Sequence, residues 1–177
     1  MHNRRIRVLC VDDHRIVREG VALIIKRQTD MDVVGMAATG EEAIELFKSC
    51  HPDVTLMDLR LRGMSGVEAI KAIRRIDPSA RVVVLTMYQG DEDIYRALQA
   101  GATTYLLKDT LADDLIQVIR DVKAGKQPGV SPEVQARLAE RSVRPELTPR
   151  ELEILTLISQ GMQNKEIAAS LGVSEAT

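Results

Sequence analysis

Five short apolar runs recur along the first part of the chain: "IRVLCV" from Ile6, "DVVGMAA" from Asp32, "DVTLM" from Asp53, "RVVVLT" from Arg81 and "TTYLL" from Thr103. Each is rich in aliphatic or β-branched residues and short enough to be a strand. Between them, apolar positions recur at helical spacing. "EEAIELFKSC" carries Ala43, Ile44 and Phe47, "GVEAIKAIRRI" carries Val67, Ile70, Ile73 and Ile76, and "LADDLIQVIRDVKAG" carries Leu111, Leu115, Val118 and Val122. Thr39 with Glu42, and Thr110 with Asp113, have capping-box spacing. Strand and helix alternate through five units, which predicts an α/β fold built on a doubly wound, five-stranded parallel sheet.

The pattern changes near Gly125. "GKQPGVSPEVQARLAERSVRPEL" mixes proline, glycine and scattered charge. Within it Ser131, Pro132 and Glu133 predict a capped short helix running to Arg141. Thr148, Pro149 and Glu151 open a further helix, which Gly161 stops. "NKEIAASLG" predicts a second short helix with Asn164 as its cap and Gly172 in the turn beyond; Ser174 is placed to cap a third. Apolar positions on two short helices around a tight turn predict a small all-α unit, a generic helical hairpin or a helix-turn-helix. The expected division is 1–125 for the α/β domain, 126–146 for a linker and 147–177 for the small all-α unit.

Composition narrows the classes. A chain of 177 residues allows one domain or two small ones. With aromatics at 2%, aliphatic residues must build the core, which suits packed helices and parallel strands rather than an aromatic-rich sandwich. A net charge of −2 gives no global attraction to nucleic acid or to a membrane surface. Cys10 and Cys50 lack metal-ligand spacing and fall in apolar-periodic segments, so they read as reduced core residues. No apolar run approaches the ~20 residues of a membrane span. "MHNRRIRVL" leads into a strand rather than a signal-peptide core, so a cytoplasmic protein is expected.

The candidate chemistry lies at the ends of the strands. The first run closes on Asp12 and Asp13, the third on Asp58, the fourth on Thr86 and the fifth on Lys108. In an open α/β sheet these ends share one rim, where ligands bind. Three carboxylates brought together repel one another unless a cation sits among them. Oxygen ligands in a small site suit Mg²⁺, which keeps several waters and leaves positions open for a phosphoryl group. Lys108 adds a point charge and Thr86 a hydroxyl donor. Such a set would clamp the charge on a phosphoryl group passing to a carboxylate. Taken singly, each residue has an ordinary reading: Asp13 as a helix cap, Lys108 as a surface lysine, Thr86 as a strand residue. Their convergence is the signal.

"VLCVDDH", "DVTLMDLRLRGMSGVEAI", "VVVLTMY" and "GATTYLLKD" together resemble the receiver domain of bacterial two-component response regulators, a flavodoxin-like fold, from Ile6 to Gly125. The resemblance implies that Asp58 accepts a phosphoryl group from a sensor histidine kinase. It implies Mg²⁺ ligation by Asp13, Asp58 and the backbone carbonyl of Arg60, with Asp12 acting through water. It implies that Thr86 and Lys108 contact the phosphoryl oxygens, and that Tyr105 is a switch aromatic turning inward with Thr86. The chain departs from the family at Arg62, where proline is usual, and at Thr104, where glycine is common. Arg60 and Tyr88 occupy the flanking positions that influence phosphoryl lifetime in the family.

"LTPRELEILTLISQGMQNKEIAASLGVSEAT" resembles the LuxR-type helix-turn-helix of the NarL/FixJ class, with Glu151, Leu155, Gly161, Asn164, Ile167, Ala168, Leu171, Val173 and Ser174 on its pattern. The resemblance implies a DNA-binding transcription regulator that dimerises on phosphorylation and acts on promoter DNA. The recognition helix would start at Ser174, so the expectation is a piece of a longer regulator, with the apolar side at Ile167 and Leu171 left open. From Ser131 onward five basic residues face seven acidic ones, so no phosphate-binding face is expected there. Two rivals stand beside this reading. A Mg-dependent aspartyl phosphatase of the haloacid dehalogenase type carries a second Asp where this chain has Arg60. A flavodoxin-like cofactor binder needs a Gly- or Ser/Thr-rich phosphate loop where this chain has "DDHRIVREG".

Overall fold

The computed structural model describes residues 4–87, 91–110, 112–126, 128 and 148–171. The chain divides into two compact units, one ending at Arg141 and the other starting at Ser142. The described elements of the first are β1 (Ile6–Val11), α1 (Arg15–Lys26), β2 (Met31–Ala37), α2 (Gly40–Cys50), β3 (Val54–Met57), α3 (Gly66–Ile76), β4 (Val82–Thr86), α4 (Asp91–Gln99), β5 (Thr104–Leu107) and α5 (Ala112–Lys123). Those of the second are α6 (Pro149–Ser159) and α7 (Asn164–Leu171). The expected linker helix over 131–141, Tyr88, Leu111, Gly172, Val173 and Ser174 lie outside the described residues.

All four strand pairings are parallel, in the order β2-β1-β3-β4-β5. β3 and β4 are buried throughout and β1 from Val8 onward, so their successive residues enter opposite cores, while the edge strand β2 exposes Asp32 and Met36. Leu9, Val11, Met57, Val82 and Val84 pack with Phe47, Ile70, Ile73 and Ile94 under α2, α3 and α4. Val8, Cys10, Leu56, Val83 and Leu85 pack with Ile25, Leu115, Ile116 and Ile119 under α1 and α5. The order reverses at β1 and β3, and that reversal opens a crevice at their carboxyl ends.

Local signals set the helix starts. The Thr39 side chain accepts from Glu42 N, and Ser65 with Glu68 forms a complete capping box for α3. Thr148 and Glu151 do the same for α6, and Gly161 follows with φ +81°. α7 begins at Asn164, so Asn164 lies inside its first turn rather than capping it. Gly66 is needed for close approach: a Cβ there would stand 2.0 Å from the Asp58 carbonyl oxygen. Its N–H donates to the Leu59 carbonyl at 2.8 Å, which packs the start of α3 directly behind the Asp58 loop.

In the second unit Ile167 and Ala168 are buried and Leu171 is half-buried. The large apolar residues exposed there, among the described ones, are Leu152, Leu155 and Ile158 on α6. The expectation of an open Ile167 side is corrected: Ile167 is buried, and the large apolar side chains exposed among the described residues of this unit lie on α6.

Candidate functional site

The hydrogen-bond ladder runs one residue past the strands and fixes the rim. Asp12 N donates to the Ala37 carbonyl at 3.1 Å, Asp58 N to Val11 at 2.9 Å and Lys108 N to Thr86 at 3.0 Å. Asp12, Asp58 and Lys108 are thereby held in register at the end of the sheet. Lys108 Nζ lies 2.6 Å from Asp12 Oδ2 and 2.7 Å from Asp58 Oδ2. The three side chains are only 5%, 7% and 3% exposed in that order. Burial pushes the Lys108 ammonium down; the hydrogen bonds and charges of Asp12 and Asp58 outweigh it and hold it above the ordinary lysine value.

Other groups complete the rim. Asp12 Oδ1 accepts from His14 N at 2.9 Å, and Arg18 donates to the Asp12 carbonyl. Among the described residues, Asp58 Oδ1 takes only a long bond from Arg60 N, 3.5 Å, which sets the Arg60 peptide beside the carboxylate. Arg62 Nε stands 3.7 Å from Asp13 Oδ2. His14 Nδ1 is 2.8 Å from Asp13 Oδ1, yet that buried oxygen has no aligned hydrogen-bond partner. The Thr86 hydroxyl is likewise buried without one. The hydroxyls of Thr55 and Thr104 are too, so Thr86 is distinguished by its place at the end of β4 and not by that alone. Tyr105 on β5 is fully buried; burial, then the charges of Asp93 and Asp58, push its phenol well above the usual tyrosine value.

The residues fit a small dication. One ligand atom from each of Asp12, Asp13, His14 and Asp58 can lie within 4.8 Å of the others. Lys108 occupies one oxygen of Asp12 and one of Asp58, which leaves Asp13 Oδ1 and Asp58 Oδ1 with acceptor capacity. A groove of about 720 Å³ between α3 and α4, lined by Leu61, Val67, Tyr95 and Arg96 among others, reaches this constellation at Arg60. Cys10 is inert core: burial first, then the charge of Asp12, pushes its thiol up to about 12. Both cysteines are free thiols, Cys10 buried and Cys50 half-buried.

Every rim residue expected from the strand ends, Asp12, Asp13, Asp58, Thr86 and Lys108, stands at the carboxyl end of the sheet. Sequence reasoning missed the neighbours His14, Arg18 and Arg62. The imidazole was adjacent in "VDDH", but only the fold turns it back onto Asp13.

The fold, with its acidic rim at the carboxyl end of a parallel sheet, defines a receiver-type α/β domain, and the comparisons agree. The model of the response regulator receiver domain matches residues 8–120, and that of the bacterial regulatory proteins, luxR family, matches 145–177. The nitrate/nitrite response regulator protein NarL of Escherichia coli K12 is 40% identical over 96% of this chain and 82% of its own. The response regulator protein VraR of Staphylococcus aureus Mu3 is 40% identical over 97% and 84%. A structure of two RcsB dimers bound to two parallel DNAs superposes with a TM-score of 0.81 at 27% identity, over 98% of this chain and 86% of that one. The chain belongs to the two-component response regulators that join a receiver to a LuxR-type DNA-binding domain. Among the described residues no helix is long and apolar enough to cross a membrane.

Proposed function

We propose that Asp58 is the phosphoacceptor of this regulator and that a sensor histidine kinase is its donor. The observation that carries the reading is the Lys108 ammonium bridging two buried carboxylates, beside a third whose Oδ1 has no hydrogen-bond partner. An Asp58 oxygen attacks phosphorus as the bond from phosphorus to the donor's imidazole nitrogen breaks. Lys108 then exchanges its Asp58 contact for a phosphoryl oxygen, and Thr86 gives that group a hydroxyl donor. Asp13, Asp58 and the Arg60 carbonyl would hold Mg²⁺, with Asp12 acting through water. When bound, the ion supplies charge neutralisation for the transferring phosphoryl group. The chain's catalysis extends only to its own phosphorylation and dephosphorylation. Arg60 stands where an aspartyl phosphatase places its acid, which argues against turnover of other esters.

The phosphorylated state is read out through Thr86 and Tyr105. A hydroxyl drawn to the phosphoryl group leaves space that the fully buried Tyr105 ring fills. Output is homodimerisation and promoter binding in the cytoplasm, with the receiver at 1–125, a linker at 126–146, the helix-turn-helix from 147 and its recognition helix from Ser174. The test is labelling by acetyl phosphate. One base-labile phosphoryl group per chain is expected with Mg²⁺, and none with a chelator present. Labelling that ignores the chelator contradicts the reading.

A further inference from the structure

We propose that His14 is an additional ligand of the ion held at the receiver's acidic rim, and that it gives this site a preference for transition-metal dications such as Mn²⁺ over Mg²⁺. The inference rests on the reading of Asp12, Asp13 and Asp58 as a cation site. His14 Nδ1 lies 2.8 Å from Asp13 Oδ1 and 3.4 Å from Asp12 Oδ1. Two donors about 2.1 Å from one octahedral ion, at right angles, are about 3 Å apart. The His14–Asp13 separation of 2.8 Å is close to that value. His14 also joins Asp12, Asp13 and Asp58 in the group whose ligand atoms lie within 4.8 Å of one another.

The ring and its partner are close without being bonded. Asp13 Oδ1 is buried and lacks a hydrogen-bond partner although Nδ1 is near it. Two donors directed at a third atom between them have that arrangement. A capping role does not account for the residue. His14 is the N-cap of α1, where Ser, Thr, Asp or Asn is favoured because a short side chain bonds the free N–H groups of the first turn. Its side chain makes no such bond. Its own N–H is tied to Asp12 Oδ1 at 2.9 Å, which holds the residue on the rim. The imidazole is 69% exposed, so an ion and its waters can reach it.

The chemistry separates metals. Mg²⁺ takes oxygen ligands and keeps its waters, so it gains little from an imidazole. Imidazole nitrogen favours first-row transition dications over Mg²⁺, least at Mn²⁺ and increasingly toward Ni²⁺ and Cu²⁺. The rival role is electrostatic: an imidazolium standing as counter-charge to Asp13 would compete with every cation alike. The two roles predict opposite signs for His14→Ala.

The experiment uses the full chain loaded with Mn²⁺. Pulsed electron paramagnetic resonance reads nitrogen coupling to the ion, and calorimetry compares Mn²⁺ with Mg²⁺ in wild type, His14→Ala and Asp13→Ala. Nitrogen modulation is expected in wild type and should vanish in His14→Ala, which excludes His2 and His51 as its source. Mn²⁺ affinity should fall about tenfold or more in that variant, and Mg²⁺ affinity by less than about twofold. Mn²⁺ bound without nitrogen modulation overturns the proposal, as does a His14→Ala variant that binds both metals equally better or equally worse. Those results leave the acidic site standing. Mn²⁺ binding that survives Asp13→Ala unchanged removes the acidic-site reading, and His14 with it.

Discussion

Lys108 and Lys123 are both clasped by aspartates, one at each end of the same sheet. At the amino end, Lys123 Nζ lies 2.5 Å from Asp53 Oδ1 while the other Asp53 oxygen accepts from Arg7 N at 2.9 Å. Next to it Arg120 makes two bonds to Asp30, at 2.9 and 3.0 Å. These groups are partly exposed, and both Asp53 oxygens have donors. At the carboxyl end Lys108 is buried, and the rim around it keeps unpaired acceptor atoms. The amino rim closes the fold with carboxylates whose charge is met within the chain, although Arg7 Nε beside Asp53 is buried without a hydrogen-bond partner. The carboxyl rim holds charge whose full satisfaction must come from outside. The same residue types thus serve stability at one end and chemistry at the other, and the direction of a parallel sheet decides which.

Removing each lysine should separate the two ends most widely. Lys108→Ala leaves Asp12 and Asp58 buried without their cation, which costs about 3 kcal/mol. Lys123→Ala exposes Asp53 to water and should cost about 1 kcal/mol. Urea melts of both variants in chelator check this, and equal losses would erase the distinction.

A smaller effect of opposite sign is expected at Asp13. Asp13→Asn removes one of three crowded carboxylates, so in chelator the protein should melt about 4 °C higher, worth about 1 kcal/mol. Saturating Mg²⁺, at a hundredfold over Kd, should stabilise wild type by about 2.7 kcal/mol. The variant should lose most of that gain. Calorimetric melts with and without Mg²⁺ decide, and a destabilised Asp13→Asn in chelator contradicts a repulsive rim.

The amino rim should show itself in acid. Burial raises Asp53, but its bonds to Lys123 and Arg7 carry it below the usual carboxylate range in sum; Arg120 holds Asp30 low as well. A carboxyl held low in the folded state favours the charged form there. Its contribution is present above the unfolded value near about 4 and is lost as pH falls through the folded value. Asp53→Asn should therefore lose stability less steeply than wild type below about pH 4. An unchanged slope would mean that Asp53 adds nothing to the pH dependence.

Much of this was legible in the chain. Alternation of short aliphatic runs with amphipathic stretches marked all five strands and α2, α3 and α5. The strand-end residues marked the rim because a parallel sheet sends every strand end to one side. α4 was not marked: "DEDIYRALQ" buries only Ile94 and Ala97, too few apolar positions to set a period. α1 was blurred by Ile16 and Leu23, which are apolar but exposed. The contacts of His14 and Arg62 with Asp13 depend on loop paths that periodicity does not encode. Arg62 was visible only as a departure from proline.

The most direct test is the identity of the phosphorylated atom. After reaction with acetyl phosphate and Mg²⁺, borohydride reduces an aspartyl phosphate to homoserine, and peptide mass spectrometry locates it. Conversion at position 58 in wild type and no phosphoryl uptake by Asp58→Asn are the expected results. Undiminished uptake by Asp58→Asn, or conversion at Asp12 or Asp13 instead, would contradict the account.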